Sequence, residues 1–298
     1  EFEKLAADTR YAIRQGYAWQ ESLRELTNRR NPAERLITRL LSAAPGDDVV
    51  ALAAHVREAL GVTLDEQRSW NGREEAFKQW RNVIEGAGVF VFKRSFEQRN
   101  ISGFSLDDPE FPIIVINNTT AHSRQTFTLC HELAHLVFDV SGITQVDDSY
   151  IRRLNGRGRS IEVACNQFAA ELLFPEASFP WHLFHASEDL MATVSDVADD
   201  YGVSREAVLR RLLDRGIVDQ ATYLSFAQQW TDEYLEQRGR TKGGNFYATQ
   251  AAYLGENFLN LAFGLYRAGR VTRPELAEHL GVKARNLDRL EEFLLTRT

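Results

Sequence analysis

The sequence predicts an α+β fold: a small β-sheet packed with H-E-x-x-H metalloprotease helices, flanked by N- and C-terminal helical segments that include helix-turn-helix-like units. Three observations predict this class. Amphipathic helical patterns fill the first 85 residues and most of the chain after residue 180. Short runs rich in β-branched residues lie between them. The motif H-E-x-x-H, residues 131–135, follows these runs inside an apolar segment.

The N-terminal segment is expected to be helical. Residues 5–27, 32–41 and 49–60 are amphipathic, and Gly61 ends the third of these patterns. A further helix is predicted over about residues 73–85.

Three candidate strands precede the motif. Residues 88–93 and 111–117 have clear strand patterns, and residues 101–106 have a weaker one. A helix is then predicted around the motif, with Ser123 or Thr126 as its cap and no Pro or Gly before residue 142. Its other positions are nearly all apolar, which suits a helix buried beneath a sheet.

The motif predicts a metal site. Residues four apart share one face of a helix, so His131 and His135 can hold one ion between their imidazoles. Glu132 lies about 100° around the helix and can reach a water on that ion. We therefore expect Zn²⁺ as the cofactor, Glu132 as the general base, and hydrolysis of a peptide bond.

A catalytic zinc site takes three protein ligands, and two carboxylates are candidates for the third. Asp139 lies four residues after His135, but one straight helix cannot easily wrap three ligands around a tetrahedral ion. Glu162 lies on a second predicted helix, residues 160–174, which also carries small residues that permit close approach. We favour Glu162 as the ligand and place Asp139 beside the site or on the surface.

Further polar residues are candidates for contacts to the metal ligands or to the substrate. Asn166 shares a helix face with Glu162, and Asp139 is the second candidate. An additional donor for the oxyanion of the reaction is also expected. The sequence does not choose among the candidate donors: His122, Tyr150, His182 and Tyr201.

Two motifs together resemble those of a known family. R-x-x-F-T-L-x-H-E-L-A-H occupies residues 124–135, and E-x-x-x-N-x-F-A-A-E-L-L-x-P occupies residues 162–175. The pair resembles the ImmA/IrrE metallopeptidases over roughly residues 80–215. The resemblance implies a gluzincin-like site with zinc on both histidines and Glu162, and with Glu132 as general base. It also implies that the substrate is a helix-turn-helix repressor.

Composition and charge argue against nucleic-acid-binding, membrane-spanning and secreted classes of protein. At 298 residues and 44% hydrophobic, the chain can bury a full core, and its net charge of −7 opposes general affinity for nucleic acid. It has no apolar run long enough for a membrane span and no signal peptide, so we expect a cytoplasmic protein. Because it begins at Glu1 without Met, we expect a piece of a longer chain. Cys130 and Cys165 stand where the family commonly has alanine, and we expect both to be core residues in a reducing compartment.

Two later segments have helix-turn-helix spacing. Acids outnumber arginines around residues 197–213, so we expect a structural support there. Residues 276–295 lie in a mildly basic region, and DNA binding by that segment is a possibility that we do not favour. Residues 147–159 are expected to form a loop, and residues 238–244 a flexible linker. Deletion from about residue 240 onward is therefore expected to leave a folded, zinc-bound core.

We divide the chain into a helical segment (1–70), a metallopeptidase core (71–186), a helical support (187–237) and a C-terminal helical module (238–298). Two functions fit this organisation. The first is a bacterial zinc endopeptidase that cleaves a repressor or antitoxin-like protein and so switches on a stress-response, defence or mobile-element gene set. The second is a non-enzymatic regulator that uses the zinc fold as a sensor and binds DNA or a partner through its helices.

Overall fold

The computed structural model describes residues 5–44, 46–96, 98, 101–145, 154–238 and 245–296. Within these ranges the chain forms a four-stranded sheet and fifteen α-helices, so the predicted α+β class is confirmed. The strands are β1 (Phe90–Arg94), β2 (Ile101–Leu106), β3 (Ile113–Asn117) and β4 (Gly142–Gln145). The helices are α1 (Ala7–Leu26), α2 (Ile37–Leu40), α3 (Val49–Leu60), α4 (Leu64–Ser69), α5 (Gly72–Gly86), α6 (His122–Val137), α7 (Gly156–Leu173), α8 (Trp181–Ala186), α9 (Leu190–Asp200), α10 (Arg205–Asp214), α11 (Gln220–Arg238), α12 (Phe246–Leu254), α13 (Glu256–Arg267), α14 (Arg273–Leu280) and α15 (Leu287–Leu295).

The sheet has the order β1-β3-β2-β4. β1 pairs with β3 in parallel, with Phe92 opposite Val115, whereas β2 runs antiparallel to both β3 and β4. The three predicted strands are confirmed within a few residues. β4 was not predicted, because four residues beginning with a glycine are too short for a strand pattern. This strand nevertheless matters for the site, since it lies next to β2 at one edge of the sheet.

Alternation along the strands builds a core on each face of the sheet. Ile114 and Ile116 of β3 point into the first core, which also contains the apolar residues of α3, α5, α6, α7, α9 and α10. Ile113 and Val115 point into the second core, which contains α1 and α12 to α15. The sheet is therefore buried on both faces by helices, which explains why all five residues of β3 are buried.

The predicted helix over residues 32–41 is wrong in its first half. Only Ile37–Leu40 is helical. The side-chain amide nitrogen of Asn31 donates to the backbone carbonyls of Gly88 and Glu110 at 2.9 and 2.7 Å. Its side-chain oxygen accepts a hydrogen bond from the backbone N–H of Ala33. Because these bonds tie the segment to the chain around the sheet, its backbone takes an irregular path instead of a helix.

The C-terminal helices pack against the sheet and share its second core. Phe258 of α13 contacts Phe92 of β1 edge to face, with ring centroids 5.3 Å apart. α12 and α13 are separated at Gly255, whose backbone φ of 84° interrupts the helical path. We expected the core to stay folded after deletion of the region beyond residue 240. The structure argues against this, because removal of that region would expose the second core to water. Our four-part division of the chain stays a prediction.

Both segments with helix-turn-helix spacing form helix pairs. In the first, α9 and α10 flank a turn at Gly202 and place Val197, Ala198 and Leu209 in the first core. The second consists of α14, a short 3₁₀ turn at Ala284–Asn286, and α15, and it faces the second core. The predicted linker spans residues 238–244; Arg238 is the last residue of α11, and residues 239–244 lie outside the described ranges. No helix in the described part of the chain is both long and apolar enough to span a membrane.

Candidate metal centre

Two helices bring the motif residues together beneath the sheet. α6 carries H-E-x-x-H in its last two turns, and all of its residues from Thr128 to Val137 are buried. α7 begins at Gly156, so the expected loop is wrong for residues 156–159, while residues 147–153 lie outside the described ranges. Buried Ala169 on α7 keeps the helix surface small where the two helices meet.

Three side chains form a compact set of donor atoms. His131 Nε2 and His135 Nε2 lie 3.2 Å apart. Glu162 on α7 reaches both, with Oε2 at 3.3 Å from His131 Nε2 and Oε1 at 3.5 Å from His135 Nε2. All three side chains are almost fully buried, with exposed fractions of 1% for His131, 2% for His135 and 11% for Glu162. The structure thus brings together the three residues that the sequence proposed as ligands.

This triangle of atoms has the dimensions that a zinc ion requires. Zinc bonds of about 2.0–2.2 Å to nitrogen and oxygen in tetrahedral geometry place the ligand atoms about 3.3–3.5 Å from one another. The three observed separations are 3.2, 3.3 and 3.5 Å. Two imidazoles and one carboxylate are also the donor set of a common class of catalytic zinc sites. The residues present therefore fit a divalent metal.

Neighbouring groups orient both imidazoles. Asn166 Oδ1 accepts a hydrogen bond of 2.8 Å from His131 Nδ1, which leaves the lone pair of Nε2 facing the other donors. The ring of His135 lies against Gly142 of β4, where a Cβ atom would come within 2.6 Å of the ring. Any side chain at position 142 would consequently displace His135. α7 thus sets the tautomer of His131, and the sheet limits the position of His135.

Glu132 points into the sheet side of the site, where two hydroxyl groups hold it. Ser105 Oγ donates to Oε2 at 2.7 Å, and Thr144 Oγ1 donates to Oε1 at 2.5 Å. Burial is the largest influence on its pKa and raises it to about 7, against the lowering effects of His131 and of the two hydrogen bonds. A carboxylate with a pKa near neutrality is suited to exchanging a proton with water.

His135 is held in its neutral form. Burial lowers its pKa to about 3, and nearby His131 lowers it further, while Glu162 opposes both effects. A neutral imidazole is the form that binds a metal, so no proton has to be removed from this ring before an ion can bind.

A cysteine also lies close to the two histidines. The Cys165 sulfur and the ligand nitrogens of His131 and His135 all lie within 4.8 Å of one another. The Glu162 oxygens lie 3.3 and 3.5 Å from the same two nitrogens, within the range expected around a bound zinc ion. Burial raises the pKa of the Cys165 thiol, and the Glu162 and Glu132 carboxylates raise it further, so the metal-free sulfur keeps its proton. We therefore prefer Glu162 as the third ligand.

The other candidate residues lie elsewhere. Asp139 is exposed just beyond the end of α6 with a φ of 55°, and its side chain contacts Asp107, not the imidazoles. His122 opens α6, more than two turns before His131. His182 is exposed, and the hydroxyl of Tyr201 donates to the Ser178 carbonyl at 3.0 Å. Tyr150 lies outside the described residues, so the oxyanion donor stays unassigned.

Sequence reasoning missed Ser105, Thr144 and Gly142 around the motif. Ser105 belongs to a predicted strand, but its pattern says nothing about which helix that strand faces. Thr144 and Gly142 belong to the short strand that the sequence did not reveal. The position of Cys165 could have been read from spacing, because residues three apart share a helix face and Glu162 was already a candidate.

Comparisons with known proteins found a family model, a curated relative and a solved structure that resemble parts of this chain. Residues 84–213 match the family described as the IrrE N-terminal-like domain, Peptidase_M78. A segment of 72 residues is 39% identical to the radiation response metalloprotease IrrE of Deinococcus radiodurans, and it spans 23% of this chain and 21% of that relative. A solved Mycobacterium tuberculosis transcriptional regulator aligns at 15% identity with a TM-score of 0.37, covering 66% of this chain and 52% of that one.

These findings define a metallopeptidase-type domain built around a buried metal-binding motif. Residues 84–213 thus resemble the domain of the ImmA/IrrE family, in agreement with the resemblance predicted from the two motifs. The aligned part of the chain spans about a fifth of the curated relative that it matches.

Proposed function

We propose that this protein is a zinc-dependent endopeptidase in which His131, His135 and Glu162 hold the metal and Glu132 is the general base. The observation that carries the proposal is the triangle of donor atoms, 3.2 to 3.5 Å on each side, with Glu132 buried beside it. Burying a carboxylate costs free energy unless a cation or another partner compensates it. A bound metal ion would supply that compensation here, and two imidazoles beside the carboxylate are suited to share the ion.

Each of the chain's own residues has a distinct task in the proposed reaction. Zinc, when bound, supplies a Lewis acid that activates water and polarises the carbonyl of the scissile bond. Glu132 accepts the proton of the attacking water and returns it to the nitrogen of the leaving amine. Ser105 and Thr144 hold the Glu132 carboxylate in place during both transfers. Asn166 keeps His131 in the tautomer that binds metal.

The proposed substrate is a regulatory protein, a helix-turn-helix repressor or an antitoxin-like partner, cleaved in the cytoplasm to switch on a stress-response, defence or mobile-element gene set. The relative of known function is named a radiation response metalloprotease, which supports the link to stress. β4 lies at the end of the sheet order and carries Thr144, so an extended substrate added along it would pass close to Glu132.

Substitution of the general base tests the proposal. Glu132→Gln should retain one zinc ion per chain and lose cleavage of a candidate repressor encoded beside this gene, because an amide cannot accept the proton of water. Glu58→Gln, an exposed position on α3, is the control and should behave as the parent protein. His131→Ala and His135→Ala should lose the metal itself. Normal cleavage by zinc-loaded Glu132→Gln protein would rule out the mechanism.

The alternative function is a non-enzymatic regulator that acts by DNA or partner binding through its helices. Leu287, Leu290 and Leu294 of α15 face the second core, and Arg273 of α14 is paired with Asp288 of α15. α15 carries the acids Asp288, Glu291 and Glu292, and the net charge of the chain is −7, so we expect no tight binding to duplex DNA. A gel-shift titration at low and moderate salt tests this, and tight, salt-sensitive binding to a defined sequence would favour the regulator.

A further inference from the structure

Cys165 occupies the face of α7 that the proposed metal site uses. Glu162, Cys165, Asn166 and Ala169 follow one another at helical spacings of three and four residues, so they line the same side of the helix. Two of these neighbours already contact the imidazoles of α6. The thiol of Cys165 is fully buried on this face, and none of the described residues forms a hydrogen bond with it.

The sulfur is also close enough to act as a ligand. Bonds of about 2.3 Å to sulfur and about 2.0–2.1 Å to nitrogen place these atoms about 3.6 Å apart around a tetrahedral zinc ion. The Cys165 sulfur lies within 4.8 Å of the ligand nitrogens of both His131 and His135. A shift of at most about 1.2 Å, within the reach of a side-chain rotation, brings the sulfur to bonding distance.

We propose that Cys165 is a fourth protein ligand of the metal centre, so that the ion is held by two imidazoles, one carboxylate and one thiolate. This inference rests on the metal site of the proposed function. As the sulfur binds, the thiol proton passes to solvent, because a coordinated thiol is deprotonated. With four protein ligands the centre is closed, since catalytic zinc sites keep one position for water.

The bound sulfur and the reacting water therefore compete for one coordination position. The centre has a closed form, with Cys165 on the metal, and an open form, with Cys165 released into its pocket on α7. Only the open form supports the chemistry proposed above. The fourth ligand would thus hold the metal firmly while keeping the peptidase at rest until a substrate or signal displaces it.

Cys130 offers a matched comparison within the same chain. It is also a free cysteine, is also fully buried, and directly precedes His131 on α6. Its side chain points about 100° away from that of its neighbour, as the helix period requires. The group of potential ligands found around the two histidines contains Cys165 but not Cys130. A merely structural effect of losing a buried sulfur should therefore appear equally in both variants.

Titration of the purified chain with Co²⁺ tests the inference without any substrate. Cobalt bound to a thiolate shows a sulfur-to-metal charge-transfer absorption band in the near ultraviolet, and cobalt bound only to nitrogen and oxygen does not. The parent protein and Cys130→Ala should both show this band at one equivalent of metal. Cys165→Ala should bind one equivalent of Co²⁺ without the band and with weaker affinity, and His131→Ala should bind none.

The possible outcomes separate this inference from the proposed function. If the parent protein binds cobalt but lacks the charge-transfer band, Cys165 is not a ligand, while the three-ligand site of the proposed function stands. If the parent protein binds no cobalt or zinc, the metal site itself is wrong and both proposals fail. A band that persists in Cys165→Ala and vanishes in Cys130→Ala would transfer the role to the other cysteine and overturn this inference.

Discussion

At the scale of single residues, the surroundings of two carboxylates separate their roles. Glu162 lies on α7, buried, within 3.5 Å of both imidazoles. Asp139 lies in an exposed, left-handed position after α6 and contacts another acid, Asp107. Glu162 can bind an ion without a large movement, because its carboxylate already faces the two imidazoles. Asp139 would have to reach back past the end of α6 to do the same.

Replacing each carboxylate distinguishes these roles. Glu162→Ala should lower zinc affinity by well over the ~10–100-fold that loss of an outlying contact produces, because a direct ligand is removed. Asp139→Ala should change zinc affinity by less than tenfold. Metal content after dialysis against a competing chelator measures both. Zinc that survives in the Glu162 variant and disappears in the Asp139 variant would reverse the assignment.

Lys93 on β1 is a buried cation remote from the proposed metal ligands. Burial is the main cause that lowers its pKa from 10.5 to about 7, with nearby Arg81 adding to the effect. Its ammonium group lies 3.8 Å from the centre of the Phe77 ring, which compensates part of the lost hydration. Between pH 7 and 10.5 the unfolded chain therefore binds more protons at this site than the folded protein does.

The free energy of unfolding that this lysine contributes should consequently rise as the pH increases from 7 to 10.5. Lys93→Met should stabilise the protein at pH 7 by on the order of 3 kcal/mol, and the gain should shrink towards zero near pH 10. Urea unfolding of the two proteins at several pH values measures the difference. Lys78→Met, at a half-exposed position on α5, serves as the control and should show no such trend. A gain that grows with pH would contradict the assignment.

At the scale of elements, the pairing of β2 with β4 shapes the base of the site. β2 supplies Ser105, and β4 supplies Thr144 and the close approach of Gly142 to His135. Both strands run antiparallel, with Ser105 paired to Gly142, so their side chains reach α6 together. The strand pair thereby holds the proposed general base and one proposed ligand at the same time.

Removing one of the two hydroxyl groups should impair cleavage and leave metal binding intact. Ser105→Ala or Thr144→Val leaves one carboxylate oxygen of Glu132 buried without its donor, which costs about 1–3 kcal/mol and raises the pKa of that group. We expect roughly a tenfold loss of kcat or more, with the acid limb of the pH–rate profile displaced to higher pH.

Conservative variants and a neighbouring serine provide the controls for this prediction. Thr144→Ser keeps a hydroxyl group and should retain most activity. Ser102→Ala removes another buried hydroxyl of β2, one that donates to the Thr144 carbonyl and does not touch Glu132. It should leave the pH profile in place. A shift of equal size in Ser102→Ala would show that the effect is structural and not specific to Glu132.

At the scale of the whole molecule, the C-terminal helices complete the fold. They cover one face of the sheet together with α1, and a buried ion pair joins the two sides. Arg81 pairs with Glu85 on α5, donates to the Ala252 carbonyl at 2.9 Å, and Asn257 donates to Glu85 at 2.8 Å. Loss of the last helices would leave both apolar and charged groups without partners.

Truncation at residue 244 should therefore yield an insoluble protein or one with a strongly lowered melting temperature. In the full chain, Phe258→Ala should cost about 3–5 kcal/mol of stability, as for other buried aromatic residues. Phe246→Ala is the matched control, because this side chain is 46% exposed. Circular dichroism during heating measures all three proteins. A truncated chain that keeps zinc and melts like the parent would restore the independent core that the sequence alone predicted.

Local information was sufficient to predict much of the site. The periodicity of α6 placed His131 and His135 on one face, and the spacing of α7 did the same for Glu162 and Asn166. These relations depend only on helix geometry over a few residues, so they hold whatever surrounds the helices. The class of fold and the three longer strands could be predicted for the same reason, since β1 and β3 are short runs of β-branched and aromatic residues and the helices have an amphipathic period.

Tertiary structure decided the contacts between elements distant in sequence. No local pattern could show that Ser105 and Thr144 hold Glu132, or that the second core joins β1 to α13. The fourth strand lacked a pattern because its four residues are stabilised by the neighbouring strand and by α6, not by their own composition. The sequence by itself therefore determined which side chains each helix presents, and only the packing of those helices on the sheet determined what the side chains meet.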